Sequence, residues 1–229
     1  MKKAVFLLSV CLIALSLLAC SARRAAAVEC PTVTHDEGVV INGVRWATRN
    51  VDAPGTFAAT PESTGMFYRW NTLWGFTALG RSALTGGSIA PAHPPVHDFV
   101  PTGNNTAAHL APRPGATWHR GNDPCPPGWR LPSNQEIQSL LEADNEAVAV
   151  NGVNGRLFGT APHQLFLPAS GSLSPDSGTV GFKGMRGYFW SNGEAPADNR
   201  AGLWFQTHDD HMSTLGNGGG LRNIRCVAQ

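Results

Sequence analysis

The sequence predicts an α+β domain built from short, twisted antiparallel strands, one or two short helices and long loops. Three observations carry this. The composition is 42% hydrophobic and only 14% charged, with 26 Gly and 17 Pro, so there is apolar surface to bury, but turn formers cut it into short runs unlike those of a helical bundle. Asn-Gly pairs recur between β-branched runs, as at Asn42-Gly43 and Asn151-Gly152, which is the strongest short-range hairpin signal. A helix-start signature, Ser133 followed by Glu136, opens one apolar stripe.

Residues 1–19 precede that domain. Lys2 and Lys3 form a basic region and Ala4 to Ala19 an apolar run too short to span a membrane. This is an export signal. Its end, "LLAC", resembles a lipobox, with cleavage before Cys20 and lipid attached to that cysteine. "ARRAAAV" at 22–28 offers ordinary signal peptidase an alternative site at Ala25-x-Ala27. Residues 20–37 read as a flexible lead-in and 38–229 as one domain, held to the membrane through the lipid alone. A net charge of +1 gives no footprint for nucleic acid.

Export sets the thiol chemistry. Of the five cysteines, Cys11 leaves with the signal and Cys20 is acylated, which leaves Cys30, Cys125 and Cys226. In an oxidising compartment the expectation is one disulfide and one odd cysteine. Cys30 lies in the polar lead-in, so Cys125 to Cys226 is the favoured pair. Such a crosslink closes a loop of about 100 residues, worth up to about 4 to 5 kcal/mol in chain entropy.

Along the domain, "GVVINGVRWATRNV" at 38–51 is the opening hairpin. "GMFYRWNTLWGF" at 65–76 is dense in aromatics and too irregular for an amphipathic helix, so it reads as core or a shielded strand. Residues 77–122 lack sustained periodicity and read as an organised loop region or a disordered insertion. Their histidines, His93, His97, His109 and His119, read as solvated, since the prolines of "HPPVH" forbid a helical metal-binding pair. In "DPCPPGWRLPSNQEI" at 123–137, Pro126 and Pro127 stiffen the approach to the helix and Pro132 keeps Leu131 extended. Ile137, Leu140 and Leu141 then form its buried face. Downstream come strands and turns: "VAVNGVNGRLFG", "HQLFLPASGSL", "TVGFKGMRGYFWSN", "AGLWFQT" and a closing "LRNIRCVAQ". Asn151-Gly152, Asn154-Gly155 and Asn192-Gly193 are expected at turns with positive φ. In "AGLWFQT", Leu203 and Phe205 should face a core, and Trp204 and Gln206 the other side.

The ordered set "INGVRWATRNVD", "GMFYRWN", "NDPCPPGWRLPSNQEIQSLL", "NGVNGRLFG", "LFLPASG", "GYFWSN" and "IRCVAQ" resembles the Fibrobacter succinogenes major paralogous domain family over residues 38–228. The resemblance implies a C-type lectin-like fold, related to formylglycine-generating enzymes. It also implies an exported outer-membrane lipoprotein of Bacteroidetes type, acting in surface adhesion or glycan contact.

Catalysis and calcium binding have separate requirements. The enzyme branch of the fold places catalytic cysteines close together near an Arg-Cys motif, whereas "IRC" here holds only Cys226, so the pair needed for copper is missing. Ser191 and Ser213 have no nucleophile-elbow context. Calcium lectins of this fold carry Glu-Pro-Asn or Gln-Pro-Asp loops and a Trp-Asn-Asp strand, and none of these tripeptides occurs. No catalytic residue, cofactor or resident metal is therefore assigned.

The most unusual polar run is "QTHDDHMSTLGNGGGLRN" at 206–223. With Trp204 beside it as an aromatic anchor, the expected contact residues are Trp204, Gln206, His208, Asp209, His211, Asn217, Arg222 and Asn223. The expected partner is a glycan or a host or bacterial surface protein. Three rival readings are a metal-dependent enzyme using His208 and His211 with Asp209 and Asp210, a fimbrial or structural accessory subunit, and a retroelement-diversified binder. The last is suggested by the Asn, Asp, His, Ser and Gly of the run, and a template repeat beside a reverse transcriptase gene would support it.

Overall fold

The computed structural model describes residues 33–73, 75–77, 117–175, 177–193, 202–209, 212–214 and 220–229. The signal segment, Cys20, Cys30 and residues 78–116, with the histidines at 93, 97 and 109, lie outside them. The described residues form a strand-rich body. Its strands in chain order are β1 (Val39–Ile41), β2 (Val44–Trp46), β3 (Phe67–Tyr68), β4 (Gly75–Phe76), β5 (Trp129–Arg130), β6 (Asn145–Val150) and β7 (Val153–Phe158). Then follow β8 (Leu165–Pro168), β9 (Ser172–Leu173), β10 (Val180–Gly181), β11 (Arg186–Trp190), β12 (Gly202–Gln206), β13 (Met212–Thr214) and β14 (Val227–Ala228). One α-helix, α1 (Asn134–Leu141), lies between β5 and β6.

These strands make small antiparallel sheets in the orders β1-β2-β14-β5, β6-β7-β8 and β11-β12-β13, with the pairs β3-β4 and β9-β10. The hairpin turns at Asn42-Gly43 and Asn151-Gly152 have positive φ at both residues, 48° and 81° in the first and 49° and 79° in the second. That is the pattern whose twist matches the flanking strands. The other two pairs expected at turns differ from expectation. Asn154-Gly155 lies inside β7, where Gly155 stands opposite Pro168. Asn192-Gly193 docks against the start of α1, with Asn192 N–H donating to the Pro132 carbonyl at 2.7 Å. An Asn-Gly pair supplies freedom to turn, and tertiary packing uses it here for close approach instead.

Cys125 and Cys226 are joined, with Cα atoms 6.1 Å apart and a sequence separation of 101. The bond fastens the approach to α1 to the residue preceding β14, and Val227 pairs with both Trp46 and Arg130. The approach itself is held by polar contacts. Asp123 accepts from the Cys125 and Leu131 amides at 2.9 and 3.0 Å. Ser133 and Glu136 form the reciprocal capping box, and Arg130 meets the Glu136 carboxylate through two bonds of 2.8 and 2.7 Å. Ile137 and Leu140 are buried, with Leu141 at the edge of the same cluster.

Two main core clusters follow. One gathers Trp70, Trp118 and Trp190 with Leu131, Ile224 and Cys226. Trp70 meets Trp118 and Trp190 edge-on at 5.0 and 5.3 Å, the geometry favoured by aromatic quadrupoles. The other packs α1 against Trp46, Phe158, Phe189, Leu203 and Phe205. In the aromatic run at 65–76, Met66, Phe67, Tyr68, Trp70 and Phe76 are core, whereas Leu73 is exposed and residue 74 lies outside the described residues.

The body begins before residue 38. Phe57 N–H donates to the Val33 carbonyl at 2.6 Å, and the buried Asp36 accepts from Gly38, the Thr48 amide and the Thr48 hydroxyl. Those bonds fix part of the expected lead-in to the first sheet.

Candidate functional site

The site is built on the sheet β11-β12-β13. Its register sets Arg186 opposite Gln206, Tyr188 opposite Trp204, and Trp204 opposite Ser213. Alternation sends Phe189, Leu203 and Phe205 into the core, all buried. Arg186, Tyr188, Trp204 and Gln206 share the other face and are half-buried.

On that face Tyr188 and Trp204 stack, with centroids 6.4 Å apart and planes 16° off parallel. Arg186 carries its guanidinium carbon 5.6 Å from the Trp204 ring and 4.3 Å from the Phe182 ring, a double cation–π contact. Its Nε donates to Gln206 Oε1 at 3.0 Å, and Gln206 Nε2 reaches the Asp209 carboxylate at 3.2 Å. His208 Nε2 lies 3.3 Å from Asp209 Oδ2, both side chains being well exposed. A continuous polar chain, Arg186, Gln206, Asp209 and His208, therefore borders an aromatic pair.

Two features outside the expected set hold this face. The first is the turn before β11. Phe182 has φ of 60° and is 49% exposed, a costly conformation for a bulky side chain. The surrounding bonds enforce it: Arg186 N–H donates to the Phe182 carbonyl, Gly184 N–H to Ala169, and Thr207 N–H to Met185. The second is Arg156 of β7, only 1% exposed. Its guanidinium donates to Asn145 Oδ1 at 2.9 Å and to the carbonyls of Gln206 and Asp209 at 3.0 and 2.6 Å. It fixes the backbone that presents Gln206 and Asp209. The local sequence signals are slight, an aromatic between two glycines in "GFKGMR" and an arginine after a glycine in "NGRLFG".

Of the expected contact residues, Trp204, Gln206, His208 and Asp209 are brought together. His211 and Asn217 lie outside the described residues. Arg222 and Asn223 are not on the surface: they are 4% and 0% exposed. The segment Leu221–Asn223 stitches three elements, pairing Leu221 with Leu173, Arg222 with Tyr68, and Asn223 with Phe189. Asn223 Nδ2 donates to the Thr64 and Met66 carbonyls. The Arg222 guanidinium lies 4.1 Å from the Trp190 ring, and burial pulls its pKa down to about 9, opposed by Tyr188. The Asn223 amide satisfies backbone carbonyls inside the fold, the usual fate of buried polar groups, and the Arg222 guanidinium packs on a buried tryptophan, so neither belongs to the contact face.

Among the described residues no group of three or more His, Cys, Asp or Glu side chains is placed to hold a metal ion. No helix among them is long and apolar enough to cross a membrane.

No protein-family model, curated protein or solved structure matches this chain.

Proposed function

We propose that this chain is an envelope-anchored binding or adhesion module of C-type lectin-like type, which contacts a glycan through the Trp204 face without calcium. The observation that carries the reading is the Tyr188–Trp204 stack bordered by the Arg186–Gln206–Asp209 hydrogen-bond chain. A pyranose needs an aromatic surface for its C–H face and fixed planar polar groups for its hydroxyls. Here both are held before the ligand arrives, which lowers the ordering cost of binding. The family resemblance and the export signal support the same reading, with the Cys20 lipid as anchor.

A protein ligand is the second reading, favoured by Phe182 and Met185, which are 49% and 51% exposed beside the face. Exposed aromatics next to an arginine are typical interface anchors.

A glycan array probed with the exported chain, alongside immobilised matrix proteins, tests both. The expected result is a glycan hit weakened at least tenfold by Trp204→Ala and by Gln206→Ala. Silence on glycans with a Phe182-dependent protein hit selects the second reading, and silence on both removes the adhesion proposal. Metal analysis tests the enzyme rival: a stoichiometric ion lost in a His208→Ala, His211→Ala double variant would replace the binding reading with a metal site. Cys20→Ala should move the protein from the membrane to the soluble fraction.

A further inference from the structure

A cleft of about 750 Å³ opens beside the Cys125–Cys226 disulfide, within the size range of small-ligand sites. It lies past the Trp190 end of β11, where Asn192 reaches its wall, while Phe182 and Arg186 belong to the opposite end of that strand. Trp118 and the half-buried Trp129 supply apolar wall, and Arg120, Arg130 and Asp123 supply charge.

The polar lining is biased toward donors. Asp123 is the acidic side chain of the lining, which also includes Gln229, and each Asp123 oxygen already accepts a backbone amide, from Cys125 and from Leu131. Burial pushes its pKa up despite those bonds. Arg130 is neutralised by Glu136, which is not part of the lining. Arg120 is exposed and pulls on Asp123, but forms no salt bridge among the described residues. Asn192 uses its amide nitrogen on the Leu131 carbonyl. Arg120 is therefore the exposed cation of the lining, within electrostatic reach of Asp123 and beside tryptophan.

The walls are also rigid. Pro126 and Pro127 restrict the backbone, the disulfide ties Cys125 down, and Trp129 is braced edge-on by Phe57 at 5.7 Å.

We propose that this cleft is a second binding site, for a carboxylate-bearing saccharide whose ring lies against the tryptophan wall and whose carboxylate pairs with Arg120. Arginine matches a carboxylate with two parallel donors, which a neutral sugar cannot use. The inference is independent of the Trp204 face.

The test is titration calorimetry of the exported chain with glucuronate, glucose and succinate. Glucuronate should bind at least tenfold more tightly than either of the others, since succinate has no ring and glucose has no charge. Arg120→Gln, a change at an exposed position, should lower glucuronate affinity about tenfold to the level of glucose. Equal binding of the three compounds, absence of glucuronate binding at millimolar concentration, or an unchanged Arg120→Gln variant would each overturn the proposal. Failure here leaves the array result at the Trp204 face untouched, because the two sites are read by different variants.

Discussion

A methyl group at residue 155 would stand against the Leu167 carbonyl oxygen and 2.6 Å from the Phe166 ring. Both neighbours belong to β8, whose backbone is fixed by pairing with β7. Gly155→Ala should therefore destabilise the protein by about 1–3 kcal/mol, as overpacking does in a closed core, read as a shift in the denaturant midpoint. Phe182 presents the opposite case. Its positive φ costs about 1–2 kcal/mol relative to glycine, offset in part by the Arg186 contact. Phe182→Gly should leave stability equal or higher by about 1 kcal/mol while weakening the contact made by the Trp204 face. A variant both less stable and unchanged in binding would show that the strain has no connection with the site.

At the scale of elements, α1 shows how local signals and tertiary contacts combine. Removing the Ser133 oxygen leaves a helix amide without its cap, and Ser133→Ala should cost about 1 kcal/mol. Glu136 adds a pH dependence. Burial alone would raise its pKa, but the Arg130 hydrogen bonds and those with Ser133 hold it below the ordinary value of 4.5. A carboxyl lowered in the folded state stabilises the fold fully above its unfolded value and loses that contribution as pH falls through the folded one. The stability gap between the native chain and Glu136→Gln should thus be largest above pH 4.5 and close in stronger acid, measured by urea unfolding across a pH series. A gap constant with pH would mean that the pair contributes no net charge interaction. The helix, its cap and the hairpins at 42–43 and 151–152 were readable from sequence because each is decided within a few residues. Asn154-Gly155 and Asn192-Gly193 carry the same dipeptide but serve packing, and nothing local distinguishes them.

At the scale of the whole molecule, the disulfide and the segment 221–227 close the fold. Reducing or deleting the crosslink in a Cys125→Ser, Cys226→Ser double variant should lower stability by up to about 4 to 5 kcal/mol, the chain-entropy figure for a loop of this length. Peptide mapping without reductant should recover residues 125 and 226 in one linked species. Residues 221 to 227 are buried without a break, three of them arginine or asparagine. Arg225 donates to Asn50 and to the Ala47 carbonyl, so polarity here binds the early chain to the late one.

The sequence by itself determined the strand-rich character, the capped helix, the cysteine pairing and the side of β12 that carries Trp204 and Gln206. Each follows from composition, period or the placing of cysteines along the chain, which are properties of neighbouring residues or of the chain as a whole. Only the tertiary structure decided that Arg222 and Asn223 lie inside, that Arg156 anchors the Gln206 and Asp209 backbone, and that Arg186 of β11 joins Trp204 with Phe182 from the preceding turn. A polar side chain reads as exposed until a distant backbone group is found to bond it, and those partners lie far away in sequence, 159 residues for Asn223 and Thr64 and 53 for Arg156 and Asp209.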